Sequence, residues 1–560
     1  MRNARNSSLK LLASALLGGA LCLLGGGGLG GAVLGACGAP SSDVPPSRVV
    51  AVTWSNEWQE PSRFVVRGVF RPDASPRWEV KDCAIASWRP LVAEGDERRL
   101  RFVHEAVCGV RAVEPHGFAP NDVLLYRSPP SLLEGATVDA SPSERAVLSD
   151  GDLNTGYRTA SLTATFLPKQ KLRGLYVAVH EPAAPQEIGN TIYYSPKAQS
   201  VFSIEIRGLL NQREIVQTLD SQSDFPSRRR YFEVPLDEVT ELTFSAEAPV
   251  DLRELQLLAT DEKPLVSPWV LSVNANPSAQ VLEEEGHGIV NDRYHASFLT
   301  KAFRRIGWYP PIDLVRGDDP AVSEWVQASY PKPIVVLSGS NAWDYSTTTQ
   351  RDPEGADRWM WNPLLPAASG GLGHLAPLVR GQEAPLLGLC GGGQILALLR
   401  ECDLNQVEEC YNKWLRRTTG EPIDGFWKPS HVVRAWPGDT VSRVAVEYDP
   451  FDTLWAGAGA TGRRLTRGLP ESHVDALAFE PLRERWDVSA TSWHCVNELC
   501  TQIPEAFALP PAPFSVVGTQ FHPERAVFSR TDVPDDESTD PASFLSAVLE
   551  QFALELFRDR

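Results

Sequence analysis

An apolar run that turns sharply through glycines and continues as a helical pattern constrains this chain more than any other feature. Residues 385–395 read Pro-Leu-Leu-Gly-Leu-Cys-Gly-Gly-Gly-Gln-Ile, with Cys390 at the apex. Glycines permit a tight turn that Cβ atoms would obstruct. The N-terminal N–H groups and positive dipole end of the following helix favour a thiolate. The pattern therefore predicts a nucleophile elbow that carries sulfur in place of oxygen.

The alternative to a nucleophilic Cys390 is a buried structural cysteine before a glycine-rich phosphate loop. A second apolar run helps to decide between the two. Residues 516–524 read Val-Val-Gly-Thr-Gln-Phe-His-Pro-Glu. Residues two apart on a strand project to the same side. His522 and Glu524 can therefore act as base and orienting carboxylate for Cys390, which favours the nucleophile over the phosphate loop.

Buried-strand patterns alternate with helical patterns from Pro268 onward, which is the signature of an α/β domain. Strands are predicted at 269–273, 334–337 and 386–389. Amphipathic helices are predicted at 291–306 and from Asp540 onward. We expect these helices to cover a parallel sheet.

The two motifs, Gly-x-Cys-x-Gly-x-Gln and Gly-x-Gln-Phe-His-Pro-Glu, resemble the paired signature of class I glutamine amidotransferases and the related γ-glutamyl hydrolases. The segments Ile334–Ser340 and Glu471–Leu477 also resemble pieces of that family, in the same order. The resemblance covers residues 265–560 and implies a flavodoxin-like α/β fold with a parallel sheet.

Roles for individual residues follow from this resemblance. It implies that Cys390 is the nucleophile, that His522 is the general base and acid, and that Glu524 holds the imidazole tautomer. Gln394 is expected to contact the substrate. The backbone N–H of Gly391 and one from Gly339 or Ser340 are expected to form the oxyanion hole.

Departures from the family pattern indicate a remodelled pocket. Ser340-Asn341 replaces the usual Gly-Pro, and Gly391 and Gly393 replace bulkier elbow residues. An insertion over residues 401–470 contains four tryptophans, Trp414, Trp427, Trp436 and Trp455. Specificity for glutamine is therefore not implied.

Residues 133–261 contain short strand patterns bounded by polar turns, which predict a β-sandwich or jelly roll. The segments Ala146–Tyr157 and Leu252–Leu258 resemble discoidin-type (coagulation factor 5/8 C-terminal) galactose-binding-like modules. This resemblance implies a carbohydrate partner. Four oxygen-bearing side chains suit Ca²⁺: Asp150, Asp152, Thr155 and Glu254. The alternative is an Asx-turn beside a solvated glutamate.

The amino-terminal residues have the pattern of an export signal. Residues 1–36 carry Arg2, Arg5 and Lys10 before an uncharged run, which is typical of a signal peptide. Leu34-Gly35-Ala36-Cys37 resembles the bacterial lipobox, which implies lipidation of Cys37 and attachment to the cell envelope. A retained signal anchor is the alternative. A tether is expected over 37–47 and a small β-domain over 48–132.

The nine cysteines fit an oxidising compartment. Cys22 lies in the signal, and Cys37 and Cys390 have roles assigned above. The other six form three neighbouring pairs that could close short loops, although the sequence does not fix their connectivity: Cys83 with Cys108, Cys402 with Cys410, and Cys495 with Cys500. A zinc site is the alternative, but the sequence has no Cys-x-x-Cys pair of the usual ligand spacing.

Charge and motifs together favour one function over others. The formal net charge is −18, which argues against nucleic acid as a partner. We predict a multidomain exported lipoprotein in which β-domains precede the α/β domain. The α/β domain is expected to be an enzyme that cleaves an amide or γ-glutamyl bond of a small molecule or polymer through a thioester, with no cofactor for catalysis. The alternative is a non-catalytic binding lipoprotein that retains the same folds.

Overall fold

The structure is a computed structural model. It describes side chains over 130–180, 200–275, 310–338, 362–414, 477–488 and 503–520, with single exceptions, and at isolated helical positions within 299–303 and 545–556. It describes only the strand backbone in parts of 48–124, 186–193, 350–360, 415–417, 442–448, 464–476 and 489–502. All of these residues belong to one compact unit, Pro46–Arg560. Within them, no helix is long and apolar enough to cross a membrane.

The first described segments, within 48–124, are all strands. Their bounds are β1 (Arg48–Ser55), β2 (Arg63–Val69), β3 (Arg77–Asp82), β4 (Trp88–Pro90), β5 (Arg99–Val103), β6 (Val107–Glu114), β7 (Gly117–Phe118) and β8 (Val123–Leu124). β1, β2 and β5 form one sheet, while β4, β3, β6 and β7 form another, with β8 added beside β6.

The next strands enclose a core of their own. Their bounds are β9 (Thr137–Val138), β10 (Tyr157–Thr165), β11 (Leu172–His180), β12 (Gln186–Ile188), β13 (Thr191–Tyr193), β14 (Phe202–Leu210), β15 (Arg213–Asp220), β16 (Arg229–Leu236) and β17 (Glu238–Leu258). The long strand β17 pairs through its first half with β14 and through its second half with β11. Leu242 and Leu255, one from each half, are buried in the same hydrophobic core.

A mixed nine-stranded sheet follows. Its strands, together with short pairs beside it, are β18 (Val270–Asn274), β19 (Ile312–Arg316), β20 (Ile334–Leu337), β21 (Gln350–Arg351), β22 (Trp359–Met360), β23 (Leu386–Leu389), β24 (Leu415–Arg417), β25 (Ser442–Tyr448), β26 (Arg464–Glu471), β27 (Asp475–Leu477), β28 (Asp487–Val496), β29 (Leu499–Leu509) and β30 (Val516–Thr519). The sheet order is β19-β18-β20-β23-β30-β29-β28-β25-β26. The first five strands in that order pair in parallel, and the remaining strands extend the sheet in antiparallel pairs.

Short helices connect these strands. They are α1 (Pro142–Val147), α2 (Val322–Ala328), α3 (Ala376–Gly381), α4 (Gly391–Glu401), α5 (Val407–Trp414) and α6 (Phe479–Arg483), with 3₁₀ turns at Leu132–Gly135, Ala367–Ser369 and Gly373–Leu375. Most of the helix predicted at 291–306 and of the helix predicted from Asp540 lies outside the described residues. Their described members Phe303 and Phe552 are buried in one core with Val336.

The parallel strands bury both faces, as strands covered on each side must. Val336 of β20 faces the core that holds Phe303, while its neighbour Val335 faces a second core with Trp325. Tyr176 of β11 also belongs to this second core. The outer face of the β11 strand therefore packs directly on the parallel sheet. The expectation of a β-rich chain with several sheets is confirmed.

Candidate active site and acidic junction

The elbow at Cys390 is built as the glycine pattern predicted. β23 ends at Leu389, α4 begins at Gly391, and Cys390 between them has φ 53° and ψ −118°. A non-glycine residue in this region is strained, and such strain persists where the surroundings impose it. Cys390 is 4% exposed and lies outside any disulfide. The chain thus holds a thiol on a strained turn at the amino end of a helix.

Close backbone packing accounts for the glycines of the elbow. A Cβ on Gly392 would overlap the backbone oxygens of Leu337 and Ser338 at the end of β20. A Cβ on Gly393 would overlap the backbone of Thr519 at the end of β30. The helix therefore begins in direct contact with two neighbouring strands, which leaves no room for a side chain at Gly392 or Gly393.

The carboxyl ends of three parallel strands meet at Cys390, because Leu337 pairs with Gly388 and Leu389 pairs with Thr519. We call this the Cys390 edge. Four predicted site residues that follow these strands in the sequence lie outside the described residues: Gly339, Ser340, His522 and Glu524. Their roles stay predictions.

Gln394 lies one turn into α4 and is 2% exposed. Its Nε2 donates to Gln520 Oε1 at 3.1 Å. The same Gln520 oxygen accepts from the backbone N–H of Leu477 at 2.9 Å. The amide expected to contact substrate is therefore hydrogen-bonded to the protein. Sequence reasoning missed Gln520, although its place directly after a buried strand in the His522 motif was a usable signal.

The cysteine pairs have different outcomes. A disulfide joins Cys402 and Cys410, with 5.6 Å between their Cα atoms, and so ties the end of α4 to α5. Cys495 and Cys500 are Cα partners in the β28–β29 hairpin. Cys108 lies on β6, where only the backbone is described, while Cys37 and Cys83 lie outside the described residues. Of the insertion tryptophans, Trp414 is buried and the other three lie outside the described residues.

Two of the calcium candidates form an acid pair, in which Glu254 is fully buried and Asp150 is exposed. The carboxyl groups of Asp150 and Glu254 lie close enough for the charge of Asp150 to act on Glu254. Desolvation raises the pKa of Asp150 to about 6. Burial also raises the pKa of Glu254 well above its usual range, and the charge of Asp150 raises it further. Glu254 Oε2 accepts from Gln256, and its Oε1 has no further partner in the described part of the chain.

The remaining two calcium candidates, Thr155 and Asp152, form different contacts. Thr155 Oγ1 lies 2.9 Å from Asp150 Oδ2 and therefore joins the acid pair. The carboxylate of Asp152 instead accepts from the backbone N–H of Asn154 at 2.9 Å, which is an Asx-turn. Of the ranges given above, none contains three or more His, Cys, Asp or Glu side chains arranged to hold a metal. The oxygens present, two carboxyls and a hydroxyl, are nonetheless of the kind that Ca²⁺ prefers.

The loop that carries Asp150 is fastened to the segment before β18. Ser267 Oγ accepts from the N–H of Leu153 at 3.1 Å, and the N–H of Ser267 donates to Gly151 O at 2.8 Å. A serine pair adds to the contact, since Ser227 Oγ and Ser329 Oγ lie 2.6 Å apart. We call the contact between the β9–β17 strands and the parallel sheet the junction.

A buried ion cluster lies at the same junction. Asp313 Oδ2 is 3.0 Å from Arg228 Nη2 and 2.6 Å from Arg229 Nη1, and all three side chains are buried. Burial alone would raise the pKa of Asp313, but the two guanidinium groups outweigh it and hold that pKa at about 2. The Arg229 guanidinium lies 4.1 Å from the Trp269 ring centroid. Sequence reasoning missed this cluster, because Asp313 lies 85 residues from Arg228 and 84 from Arg229, and no local pattern links them.

No family model matches the chain, and no curated protein matches it. Among solved structures, a glutamine amido transferase from Methylobacillus flagellatus has 14% identity and a TM-score of 0.24 over 52% of this chain and 94% of its own. The module CpGH89CBM32-6 produced by Clostridium perfringens has 15% identity and a TM-score of 0.16 over 23% of this chain and 97% of its own.

The CBM32 of AlyQ, in complex with 4,5-unsaturated mannuronic acid, has 11% identity and a TM-score of 0.17 over 24% of this chain and 100% of its own. Both kinds of domain expected from the motifs thus occur among the structural neighbours. Likenesses this weak carry no argument about chemistry, which rests on the residues themselves.

Proposed function

We propose that this chain is an envelope-attached cysteine hydrolase of the amidotransferase type that cleaves an amide or γ-glutamyl bond. The observation that carries the proposal is the conformation of Cys390, with φ 53° on the residue between β23 and α4. A strained, buried thiol at a helix amino terminus is costly for a purely structural cysteine. It is the geometry that a nucleophile elbow requires.

In the proposed reaction, the Cys390 thiolate attacks the carbonyl carbon of the amide and forms a tetrahedral oxyanion. The N–H of Gly391 and one from Gly339 or Ser340 stabilise that oxyanion, each contributing roughly 3 kcal/mol. His522, oriented by Glu524, takes the thiol proton and gives it to the leaving amine, so that a thioester remains. Water, deprotonated by His522, then hydrolyses the thioester and regenerates the thiol.

A substrate screen with detection of the thioester tests this proposal. Wild type and Cys390→Ser are incubated with glutamine, poly-γ-glutamate and γ-glutamyl peptides of the peptidoglycan type, and the Cys390 peptide is examined by mass spectrometry. We expect release of amine or ammonia and an acyl adduct on Cys390 with one of these substrates. Amine release that persists in Cys390→Ser would contradict the proposal.

The second candidate is a non-catalytic binding lipoprotein, and the engagement of Gln394 favours it. Its amide is hydrogen-bonded to Gln520 within the protein and not presented to a ligand. Under this alternative, Cys390 would be buried but chemically ordinary. It would then show neither acyl adducts nor accelerated thiol reactions.

The β9–β17 strands are proposed as the recognition module of the same protein, over residues 133–261. Carbohydrate is the proposed partner, and Ca²⁺ is the proposed structural ion at Asp150, Thr155 and Glu254. The buried Glu254 Oε1 supports the ion, because a buried carboxylate oxygen without a donor is otherwise costly. Lipidation of Cys37 is the proposed means of attachment. Fatty-acid labelling that survives Cys37→Ser would exclude it.

A further inference from the structure

The side chain of Gln520 meets three separate elements at the Cys390 edge. Its Oε1 accepts from Gln394 of α4 and from the backbone N–H of Leu477, the last residue of β27. Its Nε2 donates to the backbone oxygen of Pro504 on β29. Gln520 itself follows β30 directly. One side chain therefore connects the nucleophile helix with the strands on the other side of the elbow.

Burial makes this connection specific. Gln520 is fully buried and Gln394 is 2% exposed. A primary amide has two acceptor positions on its oxygen and two donors on its nitrogen. A flipped amide would place its NH₂ against the backbone N–H of Leu477 and its oxygen against the backbone oxygen of Pro504. In a buried site, such an arrangement costs the hydrogen bonds and the desolvation of each group.

The positions of the two glutamines in the sequence show which segments their hydrogen bond links. Gln394 lies four residues after Cys390, one turn into the helix that the elbow begins. Gln520 lies two residues before His522. The hydrogen bond between them therefore spans from the nucleophile segment to the segment that carries the proposed base. A catalytic pair contributed by two elements needs such a link, because a misplacement of about 1 Å can cost roughly a hundredfold in rate.

We propose that Gln394 and Gln520 are positioning residues that hold the Cys390 elbow and the His522 segment in register. This inference rests on the proposed function of the same site, and it assigns Gln394 a contact with Gln520 where the family resemblance implied a contact with substrate. The two side chains act as a unit, since removing either one breaks the same bond. Loss of the bond lowers the reactivity of Cys390 without removing any group from the substrate pocket.

The test measures alkylation of Cys390 by iodoacetamide across a pH series in the full chain, localised to the Cys390 peptide by mass spectrometry. The variants are Gln520→Met, Gln394→Met and the double variant, because methionine keeps the length and volume of glutamine. We expect each single variant to slow alkylation at pH 7 by about tenfold or more and to move the pH midpoint of the reaction. The double variant should be no slower than the slower single variant, because the two act as a unit.

The matched control is Gln382→Met. Gln382 is also buried, and its Nε2 donates to the Phe514 backbone oxygen near the starts of β23 and β30, at the opposite edge of the sheet. It should lower the melting temperature as the other variants do and leave alkylation unchanged. If Gln520→Met does not fold, Gln394→Met decides alone, because it leaves the bonds of Gln520 to Leu477 and Pro504 in place.

The outcomes are distinct. Alkylation that is unchanged in the Gln394 and Gln520 variants, or slowed equally in the control, overturns the positioning role while the proposed function stands. A double variant slowed by the product of the two single effects also overturns it. A wild type that reacts no faster than a model thiol contradicts the proposed function and the positioning role together.

Discussion

The Cys390 edge and the junction each contain an energetically unfavourable feature, but the feature and the contacts that maintain it differ between the two. At the Cys390 edge the strain lies in the backbone, and glycines that pack against neighbouring strands impose it. At the junction the cost is buried charge, which Asp313 shares with two arginines. The first arrangement is proposed to produce a reactive thiol, and the second joins two parts of the fold. Stability should therefore depend on the junction, and thiol reactivity on the edge.

The junction itself contains two buried carboxylates, Asp313 and Glu254, in opposite electrostatic surroundings. Asp313 has its counter-charges in the chain, and its pKa is held at about 2. Asp150 and Glu254 face each other, and desolvation raises the pKa of both. A carboxyl pair without an internal cation must either hold a proton or bind a cation from solution. This difference makes the acid pair the part of the junction that should respond to ions.

The largest expected effect is that of Asp313→Asn on stability. Removing the carboxylate leaves two buried guanidinium groups without their partner, which should cost about 3 to 5 kcal/mol of unfolding free energy. Urea denaturation measures this. The control is Asp318→Asn, whose pair with Arg316 is more exposed and should be worth less than about 1 kcal/mol. Cys390 alkylation should be unchanged in the folded fraction. Equal losses in the two variants would contradict a special role for the buried cluster.

The next effect concerns Ca²⁺ at the acid pair. At a concentration one hundred times its dissociation constant, a bound ion should stabilise the fold by about 2.7 kcal/mol. Thermal melting of wild type with Ca²⁺ and with chelator measures this gain. Glu254→Gln should abolish it, because the buried carboxylate is lost. Asp152→Asn should retain it, because the Asp152 carboxylate accepts from the Asn154 N–H, a bond that an asparagine oxygen can keep. A wild-type melting temperature indifferent to Ca²⁺ would rule out the ion.

The two acid sites should also have opposite pH dependence. The pKa of Asp313 is lowered from 3.8 to about 2, so its contribution is complete above about pH 4 and is lost as the pH falls through about 2. The pKa of Asp150 is raised from 3.8 to about 6, so its contribution is complete below about pH 4 and is lost as the pH rises through about 6. For the buried Asp313, each unit corresponds to about 1.4 kcal/mol, while solvent screening makes the effect at the exposed Asp150 smaller.

Denaturation of wild type, Asp313→Asn and Asp150→Asn in chelator between pH 3 and 7 tests these signs. The stability that Asp313 provides should grow with pH over the lower part of that range. The penalty relieved by Asp150→Asn should grow over the upper part. Differences that change in the same direction with pH would contradict the contrast between the two sites.

The smallest stability effect is expected at the elbow. A Cβ at Gly392 would overlap the backbone of β20, and such overpacking costs about 1 to 3 kcal/mol. Gly392→Ala should also slow Cys390 alkylation, because the helix must shift. At Gly381, a Cβ would meet only the side chain of Glu383, so Gly381→Ala is the control. Slowed alkylation in both variants would show that the reaction does not report on the elbow.

Local geometry could be predicted from the sequence, whereas side-chain contacts between residues far apart in the sequence could not. The elbow was predictable because its glycines, thiol and flanking strand and helix lie within a few residues. The parallel pairing of β18, β20 and β23 followed from alternating apolar runs in the same way. The Asp313 cluster and the Gln394–Gln520 bond join residues more than eighty positions apart, and no local pattern encodes such contacts.

The calcium candidates show the same limit at shorter range. Three of the four oxygen-bearing residues, Asp150, Asp152 and Thr155, share one loop, yet a hydrogen bond within that loop turns the Asp152 carboxylate to Asn154. The alternative of a solvated Glu254 was wrong, since Glu254 is fully buried. Sequence proximity placed Asp150, Asp152 and Thr155 in one loop, while Glu254 comes from β17. It did not decide which way each side chain would point.

The most direct test of the central claim is the rate at which Cys390 reacts with iodoacetamide near pH 7, in wild type and in His522→Ala. If Cys390 is a nucleophile assembled with His522, the wild-type thiol should react faster than a small model thiol, and His522→Ala should slow the reaction while the melting temperature changes little. Slow reaction at the same rate in both proteins would contradict the account.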